Sequence, residues 1–282
     1  MSVVSARNLN KRFGSTRAMD NVSFDVEPGS IVGLIGPNGA GKTTTLKAIL
    51  GLTNFEGSLS VLGRDPRHGR HEIMKRVCFI ADVGVLPRWL KVSDAVKYVG
   101  GVHERFDCAK AIALLKETDI SPNQRVKQLS KGMATQLHLA LVMSIDVDLL
   151  VLDEPTLGLD ILYRKTFYER LLNDYFDKNT SIIVSTHQVE EIESLLTHLL
   201  FIDRGQIVLD SAMDSLSASY SELLVNREHL DQAMSLQPIH SRDVIGKKCL
   251  IFFDTERGTL EPFGEVSTPS VTDLFVALLS KE

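Results

Sequence analysis

The sequence predicts an α/β fold: a mostly parallel sheet with helical crossovers, an antiparallel β subdomain at the N-terminus, a helical subdomain, and a small α+β extension at the C-terminus. Three observations support it. Four short apolar runs, 31–35 (IVGLI), 77–81 (VCFIA), 149–152 (LLVL) and 181–185 (SIIVS), have the length and composition of strands buried on both faces. Longer helix-permissive segments alternate with them, as the crossovers of a parallel sheet do. Each run is followed by polar or phosphate-binding residues: GPNGAGKT after the first, Asp82 after the second, Asp153 and Glu154 after the third, Thr186 and His187 after the fourth. Open α/β sheets bind ligands outside the carboxyl ends of their strands, so the four ends point to one site.

In chain order, 3–9 and 21–26 alternate polar with apolar residues around the loop residues Gly14 and Ser15, the pattern of a small antiparallel sheet. Segments 43–52, 92–117, 133–145 and 161–176 read as helices, and 85–146 as the helical subdomain. A strand over 199–203 and a turn at Gly205 close the main domain, 1–213. Residues 211–220 read as a linker into the extension, 214–282, where 222–225 and 248–253 are expected strands and 228–234 a short helix. Thr268-Pro269-Ser270 supplies a cap and a proline at a helix start, and Val271, Leu274, Phe275 and Leu278 recur at helical spacing. That last helix either covers its own small sheet or helps two chains dimerise.

Composition narrows the function. At 282 residues the chain has room for about two domains, and 44% hydrophobic with 24% charged residues excludes disorder and fibrous classes. The net charge of −5 sits entirely in the last part, where 11 acidic and 6 basic residues follow from Asp214 onward. No strongly basic face is available for nucleic acid; the run Arg64, Arg67, His68, Arg70, His71, Lys75 and Arg76 reads as a solvated loop and helix start. No uncharged stretch approaches the ~18 apolar residues of a membrane span, and the polar first ten residues lack a signal-peptide pattern. Cys78, Cys108 and Cys249 match no metal-ligand spacing and read as thiols of a reducing compartment, the cytoplasm.

Gly36, Pro37, Asn38, Gly39, Ala40, Gly41, Lys42 and Thr43 fit the phosphate-loop pattern G-x-x-x-x-G-K-[S/T], with a strand before and a helix after. The glycines let backbone N–H groups face phosphates, Lys42 neutralises their charge, and the Thr43 hydroxyl suits Mg²⁺. Asp153, at a strand end, can hold the water around that ion, and Glu154 beside it suits a general base for an attacking water. Ser130 and Gly132, at the start of a Leu- and Ala-rich helix, form a second anion-binding pattern.

Taken together, the phosphate loop GPNGAGKTT, LSKGM at 129–133, LLVLDEPTLGLD at 149–160 and STH at 185–187 resemble, in order and spacing, the ATP-binding subunit of ABC transporters. The resemblance covers residues 1 to about 213. It implies a P-loop NTPase that binds ATP and Mg²⁺, with Gly36 through Thr44 on the phosphates and metal, Asp153 on Mg²⁺ through water, Glu154 as catalytic base and His187 at the γ-phosphate. Asp160 matches the loop that communicates between two nucleotide sites. Phe13 falls at the adenine-stacking position, its alternative being a core phenylalanine. Ser130 and Gly132 would face the ATP of a second subunit, so that a homo- or heterodimer sandwiches two ATP molecules.

Two departures from the family pattern stand out. Lys131 and Met133 make LSKGM of the usual LSGGQ, similar to the ABC-2-type exporter subgroup, whose C-terminal extension the last segment also resembles. Asp82 stands where the family usually has Gln and sometimes Glu, a shorter carboxylate toward Mg²⁺ for which the resemblance implies a coupling role. The resemblance implies an ATPase peripheral on the inner face of the cell membrane, driving a separate integral permease for export. Leu86, Pro87, Trp89 and Leu90 are candidate permease contacts, with core packing as the alternative for Trp89. A soluble ATPase without a transport role, or a weakly hydrolysing regulatory subunit, are the competing readings. The permease would set the substrate.

Overall fold

The computed structural model describes residues 2–80, 86–156, 164, 167–169, 171, 180–244 and 246–279, and of Arg227 the backbone alone. The chain opens with β1 (Val4–Phe13) and β2 (Thr16–Val26), an antiparallel hairpin, and then enters the central sheet as β3 (Ile31–Ile35), buried at all five positions. Helix α1 (Lys42–Ile49) leads to β4 (Glu56–Val61), which returns to pair antiparallel with β1. Helix α2 (Pro66–Met74), capped by the Asp65 side chain and with Pro66 at its first position, precedes β5 (Val77–Ile80).

A helical layer follows. The helix-permissive segment 92–117 holds two helices, α3 (Val92–Val102) and α4 (Cys108–Lys116). Gly100 and Gly101 weaken the helix there, and Asp107 starts a new one by accepting from the N–H groups of Ala109 and Lys110, both at 2.9 Å. Helix α5 (Lys131–Val142), with Ser130 as its N-cap, packs on both through Leu137, Ala140 and Leu141.

Strands β6 (Leu149–Asp153), β7 (Ser181–Thr186), β8 (His198–Asp203) and β9 (Gln206–Ala212) complete a six-stranded sheet of order β5-β6-β7-β3-β8-β9. Every pairing is parallel except β8 with the edge strand β9. Of the segment 161–176, Arg164, Phe167, Tyr168, Glu169 and Leu171 are described, and they are helical. Phe167, Tyr168 and Leu171 are buried against this sheet.

Residues 211–220 are not a linker. Ala212 ends β9 and α6 (Met213–Ser219) follows at once, running directly into β10 (Tyr220–Val225), with Leu216 buried in the main core. Seven residues are too few for helical periodicity to register against the surrounding serines. Helix α7 (Leu230–Ser235), β11 (His240–Val244), β12 (Lys247–Phe253), the single turn α8 (Arg257–Leu260), β13 (Gly264–Ser267) and α9 (Val271–Leu279) complete the chain. The four strands make an antiparallel sheet of order β11-β12-β10-β13.

Helix α9 starts after its proline, not on it: Ser270 is the N-cap, accepting from the Asp273 N–H at 3.1 Å. Nor does it cover only its own sheet. Val271, Leu274 and Ala277 are buried in one cluster with Ile192, Leu196 and Phe201 of the main domain, and Phe275 meets Phe201 edge-to-face at 5.1 Å. Burying Leu274 alone contributes on the order of 2 kcal/mol toward holding the extension against the main sheet.

Candidate functional site

The loop after β3 owes its shape to close backbone approaches. A Cβ on Gly36 would lie 2.2 Å from the Ile202 carbonyl oxygen, and one on Gly41, at φ +115°, 2.3 Å from that of Ala18, so only glycine fits. Gly41 is also the N-cap of α1 and offers no side-chain cap. The first N–H groups of α1 therefore have no intrahelical acceptor, and the positive end of the helix dipole faces the same space. Lys42 is buried, its Nζ donating to the carbonyls of Gly36 at 2.7 Å and Pro37 at 3.3 Å. The resulting cleft of ≈ 190 Å³ is lined by Ala18, Pro37, Asn38, Gly39, Ala40, Gly41, Lys42, Thr43, Thr44 and Glu154.

Parallel pairing brings the acidic residues to the same edge, because Asp153 at the end of β6 sits opposite Ser185 of β7. The Ser185 hydroxyl donates to Asp153 Oδ1 at 2.6 Å, and Thr43 Oγ1 donates to that oxygen at 3.2 Å. Glu154 leaves the strand at φ +47°, a left-handed conformation that costs a non-glycine residue about 1–3 kcal/mol. It is held there because its N–H shares a bond between Ser185 Oγ and the Ser185 carbonyl, each at 3.1 Å. One carboxylate oxygen, Oε2, lies 2.8 Å from Nδ1 of His187. The other, Oε1, is 3.2 Å from Lys42 Nζ yet buried with no hydrogen bond.

The donor set fits a phosphate ester with Mg²⁺. An exposed hydroxyl and a carboxylate share one point, Glu154 lines the cleft with one buried oxygen ion-paired to Lys42, and the helix end and lysine supply positive charge. Among the described residues no group of three or more His, Cys, Asp or Glu could hold a metal by itself. Mg²⁺ on a nucleotide does not require one, since it takes one or two protein oxygens and leaves the rest to phosphate and water.

The structure thus draws Lys42, Thr43, Asp153, Glu154 and His187 together. Phe13 is 54% exposed with Lys11 Nζ 5.0 Å above its ring, so it is not a core phenylalanine. Trp89 is 69% exposed, which removes the core-packing alternative, whereas Leu86 and Leu90 pack against the helical cluster. Ser130 is exposed and caps α5, accepting from Met133 N–H at 3.2 Å, and Gly132 is buried in the first turn. Among the described residues neither is hydrogen-bonded to the phosphate loop. Asp82 and Asp160 lie outside the described residues.

Residue-by-residue reading missed Ser185 as the group orienting both carboxylates; the signal was a hydroxyl closing an otherwise apolar strand. It also missed Thr156, Arg164 and Glu191. Glu191 accepts from Thr156 Oγ1 at 3.3 Å and pairs with Arg164, which also bonds Gln188.

Comparison with known proteins supplies the family. The family model described as ABC transporter matches residues 19–157. A Nod factor export ATP-binding protein I of Burkholderia lata is 36% identical over 229 residues, covering 77% of this chain and 73% of the relative. Its counterpart in Cupriavidus pinatubonensis is 30% identical over 280 residues, covering 97% of this chain and 80% of the relative. Among solved structures, an ATP-binding subunit of an ABC transporter superposes with a TM-score of 0.69 at 24% identity, covering 77% of this chain and 92% of that one. CbiO1 of Clostridium perfringens, part of the complex CbiONQ, does so with 0.66 at 19% identity, covering 84% and 95%. The fold is that of these subunits, and with relatives this similar over most of its length the chain belongs to the ATP-binding subunits of ABC transporters, a family of ATPases.

Proposed function

We propose that the chain hydrolyses Mg²⁺·ATP in the cleft at the ends of β3, β6 and β7 and thereby drives a separate membrane permease in export. The observation that carries this reading is the joining of Glu154 to Lys42 on one carboxylate oxygen and to His187 on the other, at the mouth of a glycine-shaped loop. Lys42 and the N-terminus of α1 neutralise the phosphates. Mg²⁺, held by Thr43 and through water by Asp153, would add charge neutralisation at the same oxygens. Glu154 accepts the proton of the attacking water, and His187, fixed against it, reaches the γ-phosphate. Phe13 is free to stack on the base. Asp82 and Asp160 keep the coupling roles implied by the family resemblance.

Residues 1–213 make up the ATP-binding domain, with 85–146 as its helical part, and 214–282 the extension. The signature pair Ser130 and Gly132, an exposed hydroxyl and a first-turn glycine at the N-terminus of α5, supports a dimer in which each serves the partner's nucleotide. Exposed Trp89 beside Pro87 supports a permease contact on the helical layer, since exposed aromatics anchor interfaces. Among the described residues no helix is long and apolar enough to cross a membrane; attachment at the inner face through the permease follows from the transporter reading. Export as the direction rests on the names of the relatives, the LSKGM variant and the extension.

The test uses Glu154→Gln. It should keep ATP binding while turnover falls by about 10²-fold or more, the usual worth of a positioned base. The tagged variant, trapped with ATP in mildly solubilised membranes, should retain a second ATP-binding chain and a polytopic membrane protein. Wild-type turnover would remove Glu154 from the base role, and recovery of ribosomal or DNA-associated proteins instead would overturn transport.

A further inference from the structure

The stretch that follows His187 has little structure of its own. It consists of two 3₁₀ turns, Val189–Glu191 and Glu193–Leu195, and it carries three carboxylates, Glu190, Glu191 and Glu193. Glu190 is exposed and Glu191 and Glu193 are half-buried, and each has a partner in the fold. Glu191 turns toward the nucleotide side, to Thr156 and Arg164. The other two turn to the C-terminal helix: Glu190 Oε1 accepts from Thr272 Oγ1 at 2.7 Å, and Glu193 Oε1 accepts from the Val271 N–H at 3.2 Å. That N–H opens the first turn of α9, where no intrahelical acceptor exists and the dipole favours an anion. Below these bonds Val189, Ile192 and Leu196 are buried in the same cluster as Val271, Leu274 and Ala277. On its other side α9 is tied to the small sheet, where Arg242 lies 3.1 Å from Asp273.

We propose that Glu190, Glu193 and Thr272 are positioning residues for ATP hydrolysis: α9 clamps the segment behind His187 and so keeps the imidazole in register with Glu154. The inference rests on the reading of Glu154 and His187 as the hydrolytic pair. A segment of 3₁₀ turns takes its path from what it packs on; here Thr156 and Arg164 hold one side of it, and the other side rests on α9, 78 to 82 residues away in sequence. The phosphate loop has its own supports, in Ala18 and Ile202. The clamp therefore acts chiefly on turnover, with nucleotide affinity set mainly by the phosphate loop. It also makes the extension a lever on the site: whatever displaces α9 lowers activity without occupying the cleft.

The experiment is made in the full-length chain with Glu193→Ala and Thr272→Val combined. Loss of the clamp should lower kcat roughly five- to twentyfold with KM for ATP within about twofold of the parent. Amide exchange across 188–196 should accelerate by about tenfold or more, a readout independent of hydrolysis. Glu193→Gln, which keeps an oxygen acceptor for the Val271 N–H, should restore most of kcat when it replaces Glu193→Ala. If the combined variant does not fold, Thr272→Val alone removes only one hydroxyl and should show the same pattern at roughly two- to fivefold. A kcat within twofold of the parent, whether or not exchange accelerates, overturns the proposal, and so does a KM that rises in step with the loss of kcat. Glu154→Gln run in parallel separates the two readings. If it turns over like the parent, the assignment of the hydrolytic pair fails; if it is inactive while the clamp variants match the parent, the clamp alone fails.

Discussion

Ser185→Ala removes one hydroxyl from the middle of the site and leaves the strand intact. Ser185 is fully buried on β7, and its Oγ both donates to Asp153 Oδ1 at 2.6 Å and shares the Glu154 N–H at 3.1 Å. The Glu154 N–H keeps a second acceptor in the Ser185 carbonyl, so alanine orphans no donor there. Asp153 keeps Thr43 at 3.2 Å, a longer bond from an exposed side chain. The loss is then one short bond to a charged group, about 1.5–3 kcal/mol. At roughly 2.1 cal/mol/K of unfolding entropy per residue for a chain of this length, 2 kcal/mol lowers the melting temperature by about 3–4 °C. The same 2 kcal/mol, if it goes into holding Asp153 and Glu154 in their reactive geometry, is about thirtyfold in rate. The variant should accordingly melt a few degrees lower and hydrolyse ATP roughly ten- to a hundredfold more slowly, by the same reckoning. Calorimetry and a coupled phosphate-release assay measure the two effects. A variant that melts and turns over like the parent would refute the idea that Ser185 orients both carboxylates, and the left-handed Glu154 would need another support.

Two glycines of the phosphate loop should respond differently to alanine. At Gly41 the new Cβ would meet the Ala18 carbonyl at 2.3 Å on top of a φ of +115°, so about 2–5 kcal/mol and nucleotide binding should be lost; at Gly39, φ +84° but open space, only backbone strain of about 1–2 kcal/mol remains. Thermal melts with nucleotide titration compare them, and equal effects would disprove the close approach. His138, on α5, has its pKa lowered from 6.5 by burial. The unfolded chain therefore binds the proton first, and the contribution of His138 to stability is full above about pH 6.5 and lost as pH falls toward the lowered value. His138→Gln should flatten the melting temperature against pH between about pH 7.5 and 5.5. Some slope will remain from His103, lowered by burial and by Arg105. An unchanged slope would exclude His138 as its source.

What the chain makes legible follows from what local chemistry demands. A strand buried on both faces must be apolar throughout, so β3, β6 and β7 stand out as IVGLI, LLVL and SIIVS. A loop that wraps phosphate must have glycine where backbone passes backbone and lysine and threonine at the helix start, so 36–43 stands out as well. Strands that face water carry no such constraint. β11, with three of its five residues exposed, and β13, the outer strands of the C-terminal sheet, therefore left no apolar run. The left-handed turn at Glu154 is equally silent, because it is imposed by Ser185 across the sheet and not by a glycine in place. Glu190 and Glu193 are the sharpest instance. In the sequence they are surface charges among other charges; in the fold one caps a helix that begins 78 residues later and the other bonds its second residue. A carboxylate next to a helix N-terminus is a local rule when the helix follows directly. When the helix comes from the other end of the chain, only the packing of Val271 and Leu274 onto Ile192 and Leu196 brings the two together. The parts of the site that bind phosphate are written locally because the ligand imposes them. The parts that aim His187 are distributed, because the protein has to build that support from wherever its core places a helix end.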